Sequence, residues 1–93
     1  PMSQAETLRI VVAISGRGSN LKALLDAVAA GRLAARVVGV LSDRADAAGL
    51  EIARAAGVPV ASLDRKTYAS REDFEGALDR KLREWQCQLW VLA

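Results

Sequence analysis

The chain has no histidine, one cysteine, two prolines and a single asparagine among its 93 residues. Without histidine it lacks the side chain most used for proton transfer near neutral pH, and the commonest metal ligand. With Cys87 as its only thiol, a zinc site of the usual Cys/His make-up is out of reach, and no metal is expected. A lone thiol also forms no internal disulfide, so a reducing, cytoplasmic setting is the expectation. No apolar run approaches the roughly 18–20 residues needed to cross a bilayer. The start, Pro1-Met2-Ser3-Gln4, has no basic segment leading into an apolar one, so neither a membrane partner nor a signal peptide is expected. Charge of one sign is missing too: 13 Lys+Arg face 11 Asp+Glu, a net charge of +2. The basic residues are scattered rather than striped, which argues against a nucleic-acid partner.

What is present is a globular composition, 52% hydrophobic and 26% charged, with room for one small domain. Two periodicities alternate along it. Leu8 to Ile14 (LRIVVAI) is β-branched, mostly apolar and free of turn residues, which predicts a strand buried on both faces. A glycine-rich turn from Ser15 to Asn20 follows. Then Leu21, Leu24, Leu25 and Val28 share one helical face, with Ser19 or Asn20 as the expected cap and Gly31 as the stop. Val37 to Leu41 is a second strand. After the polar turn Ser42-Asp43-Arg44, an alanine-rich helix is expected from about Ala45 to Ala56, ending at Gly57. Val58 to Leu63 is a short third strand, with Pro59 marking a strand start or an edge. Beyond the loop Asp64 to Ala69, Ser70 and Asp73 predict a helix start, and Phe74, Leu78, Leu82 and Trp85 recur at helical spacing. The closing run from Leu89 is the fourth strand.

The order β-α-β-α-β-α-β predicts an α/β fold, a Rossmann-like parallel sheet with helices on both faces. Right-handed crossovers then give the strand order 3-2-1-4. Ligands in such folds bind beyond the carboxyl ends of the strands where the order reverses, and the turn after strand 1 lies there. In that turn Gly16 and Gly18 permit a tight backbone, the following helix presents free N–H groups, and Ser19 and Asn20 add polar donors. Together these predict an anion site, most often for phosphate. The turn has no lysine of the G-x-x-x-x-G-K-[ST] kind. A dinucleotide fingerprint G-x-G-x-x-G would need glycine where Leu21 stands. Asp43 sits roughly where a ribose-binding acid would, so a small dinucleotide- or mononucleotide-binding module stays open as an alternative.

The residues Ile10-Val11-Val12-Ala13-Ile14-Ser15-Gly16-Arg17-Gly18-Ser19-Asn20-Leu21 resemble the opening of the phosphoribosylglycinamide formyltransferase (GAR transformylase) family, a hydrophobic strand followed by I-S-G-x-G-S-N-L. The resemblance runs on through Ser42-Asp43-Arg44-Ala45-Asp46-Ala47, with Asp43 where asparagine is usual. It continues in Gly49-Leu50, in Ala56-Gly57-Val58-Pro59, in Tyr68-Ala69-Ser70-Arg71-Glu72-Asp73-Phe74, and in the closing Val91-Leu92-Ala93. It implies the formyltransferase variant of the Rossmann-like fold. It also implies transfer of a formyl group from 10-formyltetrahydrofolate to glycinamide ribonucleotide in purine biosynthesis. Gly18, Ser19 and Asn20 match the family's ribose-phosphate segment, and Arg71 matches an arginine assigned to the formyl-folate donor. Without the resemblance, Arg71 would be a solvated residue of a first helical turn. Family members are about twice as long. Their G-F-M-R-I-L stretch and their catalytic Asn, His and Asp follow V-L-A, where this chain ends. The expectation is therefore residues 1–93 as the N-terminal, substrate-binding half of a formyltransferase domain, without the catalytic half and inactive alone.

Cys87 is expected to be inert, having no basic neighbour in sequence. Trp85 and Trp90 are expected in the core, and Arg80, Lys81 and Arg83 on a solvated face. A sheet left incomplete at strand 4 would expose an apolar edge, so self-association through that edge is a further expectation.

Overall fold

A computed structural model describes residues 7–15 and 17–93; the expectations resting on Gly16 and on residues 1–4 lie outside them. The elements are β1 (Leu8–Ile14), α1 (Ser19–Ala29), β2 (Ala35–Ser42), α2 (Ala48–Ala55), β3 (Val60–Ser62), α3 (Arg71–Glu84) and β4 (Leu89–Leu92), with a 3₁₀ turn at Arg65–Thr67. All pairings are parallel, in the order β3-β2-β1-β4. The crossovers through α1 and α2 step one way along the sheet and the crossover through α3 steps back. With right-handed connections, α1 and α2 therefore cover one face and α3 the other.

The core lies on the first of these faces. Ile10, Val12 and Ile14 of β1 and Val37 and Val40 of β2 pack against Leu21, Leu50 and Ala53. Leu21, Leu50, Val11, Val12 and Val40 are fully buried, each contributing about 1.5–3 kcal/mol by leaving water. Val37 and Val40 share this face because β2 carries a bulge: Ile10 pairs with Val37, but Val11 pairs with Gly39. The extra residue, Val38, reverses the alternation and turns Gly39 and Leu41 toward α3.

On that second face α3 contributes no fully buried residue. Its last turn docks through Trp85. A Cβ on Gly39 would lie 2.1 Å from Trp85 Cε3, so the indole occupies the space that a side chain at Gly39 would need. The Lys81 ammonium stands 5.3 Å from the centre of the same ring. Trp85 is half-buried, as a packing aromatic should be, but Trp90 is 43% exposed. The expectation of a core Trp90 is corrected because β4 is an edge strand, bonded only to β1.

Several boundaries differ from expectation for identifiable reasons. β2 extends to Ala35 and Ser42. α2 starts at Ala48 rather than Ala45, because Arg44 N–H bonds Ser42 Oγ at 3.1 Å and the Arg44 side chain pairs with Asp46 at 3.3 Å, forming a turn. β3 shrinks to Val60–Ser62, because Val58 N–H closes α2 on Ala53 O at 2.9 Å and Pro59 has no N–H. Neither Ser19 nor Asn20 caps α1: both lie in its first turn, and the N-cap is Gly18. Ser70 does cap α3, its Oγ accepting from Asp73 N–H at 3.0 Å.

The expected stops at Gly31 and Gly57 are borne out. Both glycines are left-handed and close paired 6→1 and 5→2 hydrogen bonds, Arg32 N–H to Ala27 O and Gly31 N–H to Val28 O in the first case. α3 ends on the same motif with Gln86 in the left-handed place (φ 54°), at a cost of roughly 1–2 kcal/mol for a residue with a Cβ. Arg9 helps hold it there, its Nε donating to Gln86 O at 2.8 Å while its backbone N–H bonds Gln88 Oε1 at 2.9 Å.

Candidate phosphate-binding turn and adjoining cleft

The turn from β1 into α1 leaves the carboxyl end of an interior strand and enters the helix at Gly18, whose φ is 76° and ψ 20°. The first intrahelical bond runs from Lys22 N–H to Gly18 O at 2.9 Å. The amides of Ser19, Asn20 and Leu21 precede it, where an α-helix offers no carbonyl of its own. The other helices compensate their N-termini. α3 has the Ser70 cap and Glu72 and Asp73 in its first turn, α2 has Glu51, and the 3₁₀ turn has Asp64 accepting from Lys66 N–H. α1 has neither a side-chain cap nor an acidic first-turn residue. Its positive end and exposed Ser19 and Asn20 suit an anion.

Leu21 stands where a dinucleotide fingerprint requires glycine, and it is fully buried in the core. That position is filled by a packing side chain, so close approach of a pyrophosphate there has no room.

A cleft of about 390 Å³ opens beside the turn, over the carboxyl ends of the strands. Ser15, Leu41, Leu63, Phe74, Trp90 and Leu92 are among its walls, with Asp43 at its polar side. Of the described residues of the turn, Ser15 lines the cleft, and Gly18, Ser19 and Asn20 do not. Arg71 does not line it either. Its side chain is 79% exposed and pairs with Glu75 at 3.7 Å, one turn along α3. The apolar walls escaped the sequence reading because they come from four separate elements and share no spacing.

Cys87 shares a shallow depression at the other end of the sheet with Arg9, Asp79 and Arg83, a basic neighbourhood that sequence spacing hides. The Arg83 guanidinium is held above its usual pKa by a hydrogen bond from Arg83 Nε to Asp79 at 2.8 Å and by that carboxylate's charge. Among the described residues no cluster of three or more His, Cys, Asp or Glu could hold a metal ion, and no helix is long and apolar enough to cross a membrane.

A parallel sheet of this order, with a left-handed glycine and a helix N-terminus without a side-chain cap after its first strand, defines the Rossmann-like class, whose ligand sites lie beyond the carboxyl ends of the strands. The comparisons narrow the class. The formyl transferase family matches residues 8–93, and the chain belongs to that family. It is 40% identical over 86 residues to the phosphoribosylglycinamide formyltransferase of Escherichia coli (strain K12), an alignment covering 92% of this chain and 41% of the relative. It is 39% identical over 90 residues to the trifunctional purine biosynthetic protein adenosine-3 of Gallus gallus, covering 97% of this chain and 9% of that one. Among solved structures, glycinamide ribonucleotide transformylase 1 from Symbiobacterium toebii superposes with a TM-score of 0.88 at 48% identity, over 94% of this chain and 41% of the other. The chain thus spans less than half the length of these relatives.

Proposed function

We propose that this chain is the nucleotide-substrate half of a phosphoribosylglycinamide formyltransferase of purine biosynthesis, working in the cytoplasm. Gly18, Ser19 and Asn20 hold the phosphate of glycinamide ribonucleotide, and Arg71 faces the donor, 10-formyltetrahydrofolate. The observation that carries the reading is the uncapped, acid-free N-terminus of α1 behind a left-handed Gly18, in a chain matched to the formyl transferase family over residues 8–93. Exposed Arg71 at the start of α3, held among the described residues by a surface ion pair to Glu75, can swing toward an anionic donor.

The reaction joins the substrate amine nitrogen to the formyl carbon, breaks the carbon's bond to the donor nitrogen, and moves the amine proton to that nitrogen. It needs a group to carry the proton and donors for the tetrahedral oxyanion. The 93 residues include no histidine, and their one asparagine, Asn20, sits in the phosphate turn. The chain alone therefore binds substrate without transferring formyl. Titration with glycinamide ribonucleotide should give saturable binding and move the amide resonances of Ser19, Asn20 and Leu21. NAD should leave them in place, and a formyl-transfer assay should read zero turnover. Binding of NAD alone would sink this reading in favour of a dinucleotide module.

A second reading concerns the β4 edge. Leu89, Trp90 and Leu92 are 45%, 43% and 79% exposed, and no charged residue stands between Gln86 and Ala93 to blunt the strand. Such an edge pairs readily with another copy. Sedimentation across a concentration series should show a reversible dimer; a strictly monomeric chain at every concentration rules it out.

A further inference from the structure

The phosphate reading gives no part to α2, yet α2 is what the turn rests on. The point that a Cβ on Gly18 would occupy lies 2.5 Å from Gly49 Cα, 3.4 Å from Gly49 N and 3.4 Å from Ile52 Cδ1. Gly49 is buried in the first turn of α2, and Ile52, one turn on, is half-buried and packed against the core. The backbone of the turn therefore lies directly on the backbone of α2, with the Ile52 methyl closing one side. Gly18 is also the residue whose carbonyl starts the α1 ladder, so its placement sets where the amides of Ser19 to Leu21 point.

We propose that Gly49 and Ile52 are positioning residues for the anion turn: they touch no ligand, and they fix the plane of Gly18 so that the first-turn amides of α1 converge on one phosphate. The inference rests on the phosphate reading above. Its physical basis is that a bound anion needs its donors held within about 0.5 Å, by neighbours that are themselves locked by packing. A bare Cα at residue 49 permits that contact. A methyl on this buried residue has to be accommodated in a packed interior beside the turn, which displaces the neighbours that seat Gly18.

The test compares four forms of the 93-residue chain, titrated with glycinamide ribonucleotide at a temperature where each is folded, with melting followed separately. Gly49→Ala should weaken binding by about tenfold, the size of one lost charge-assisted hydrogen bond. Ala53→Gly is the control. Ala53 is fully buried in the same helix and packs into the core, so this variant should melt earlier while its folded form binds like the parent. A merely structural role for Gly49 would give that same pattern. Ile52→Val removes only the methyl nearest the turn and keeps the fold; it should weaken binding about threefold, and it decides the matter if Gly49→Ala does not fold. Affinities of folded Gly49→Ala and Ile52→Val within twofold of the parent overturn the inference and leave the phosphate reading standing. A parent chain that does not bind glycinamide ribonucleotide overturns the phosphate reading itself, and this inference with it.

Discussion

Replacing Gly18 with alanine should cost about 2–5 kcal/mol of stability and abolish measurable substrate binding. Two effects combine. A residue with a Cβ pays roughly 1–2 kcal/mol for the left-handed conformation, and Gly18 has φ 76°. The added methyl would also meet Gly49 Cα at 2.5 Å, a backbone atom that no rotamer change can remove, and such overpacking typically costs about 1–3 kcal/mol. For a domain of this size the sum lowers the melting temperature by roughly 8–40 °C. Ser19→Ala separates the two roles of the turn. Ser19 is exposed and makes no capping hydrogen bond, so the variant should melt within a few degrees of the parent, about the ±0.5 kcal/mol of an ordinary surface substitution. Its binding should weaken. A Gly18→Ala variant that melts with the parent would show that the turn is not seated on α2.

The turn was legible in the sequence because its parts are contiguous: strand, glycines, polar residues and helix follow one another, and the structure keeps that order. The sheet order was legible for a related reason, since alternating elements and right-handed crossovers leave few topologies. Two features were hidden. The bulge at Val38 has no sequence signature; it puts Val37 and Val40 on one face, where strict alternation would separate them. The cleft walls come from loop, strand and helix positions that only the fold brings together. The α1 cap was misread because Ser19 and Asn20 are good capping types, whereas the approach of Gly49 selects a residue without a Cβ, Gly18, for the position where the chain enters the helix. Arg71 lies exposed in a first helical turn, as expected of it without the family resemblance, and the donor contact proposed for it rests on that resemblance.

The bulge at Val38 also sets the face that Gly39 presents, and this leads to the second large effect. Gly39→Ala should cost about 2–3 kcal/mol and release the C-terminal end of α3. The new Cβ would lie 2.1 Å from Trp85 Cε3 and 2.4 Å from Cδ2, so the indole must leave. Truncating a fully buried aromatic costs roughly 3–5 kcal/mol, and Trp85 is half-buried, so about half of that is at stake. The cation–π contact from Lys81, worth about 0.5–1 kcal/mol at an exposed site, goes with it. The same displacement reaches the cleft, because α3 also carries Phe74 and Leu78 in its wall. A double-mutant cycle identifies the cause. Trp85→Ala alone should be about as costly as Gly39→Ala. In the Trp85→Ala background the methyl at residue 39 has room, and alanine suits a strand better than glycine, so adding Gly39→Ala should then cost almost nothing. The expected coupling is about 2 kcal/mol, within the range for residues in direct contact. Denaturant midpoints of the four chains measure it. Additive costs would mean that Gly39 and Trp85 act independently, and that α3 is held to the sheet by something other than the indole over Gly39.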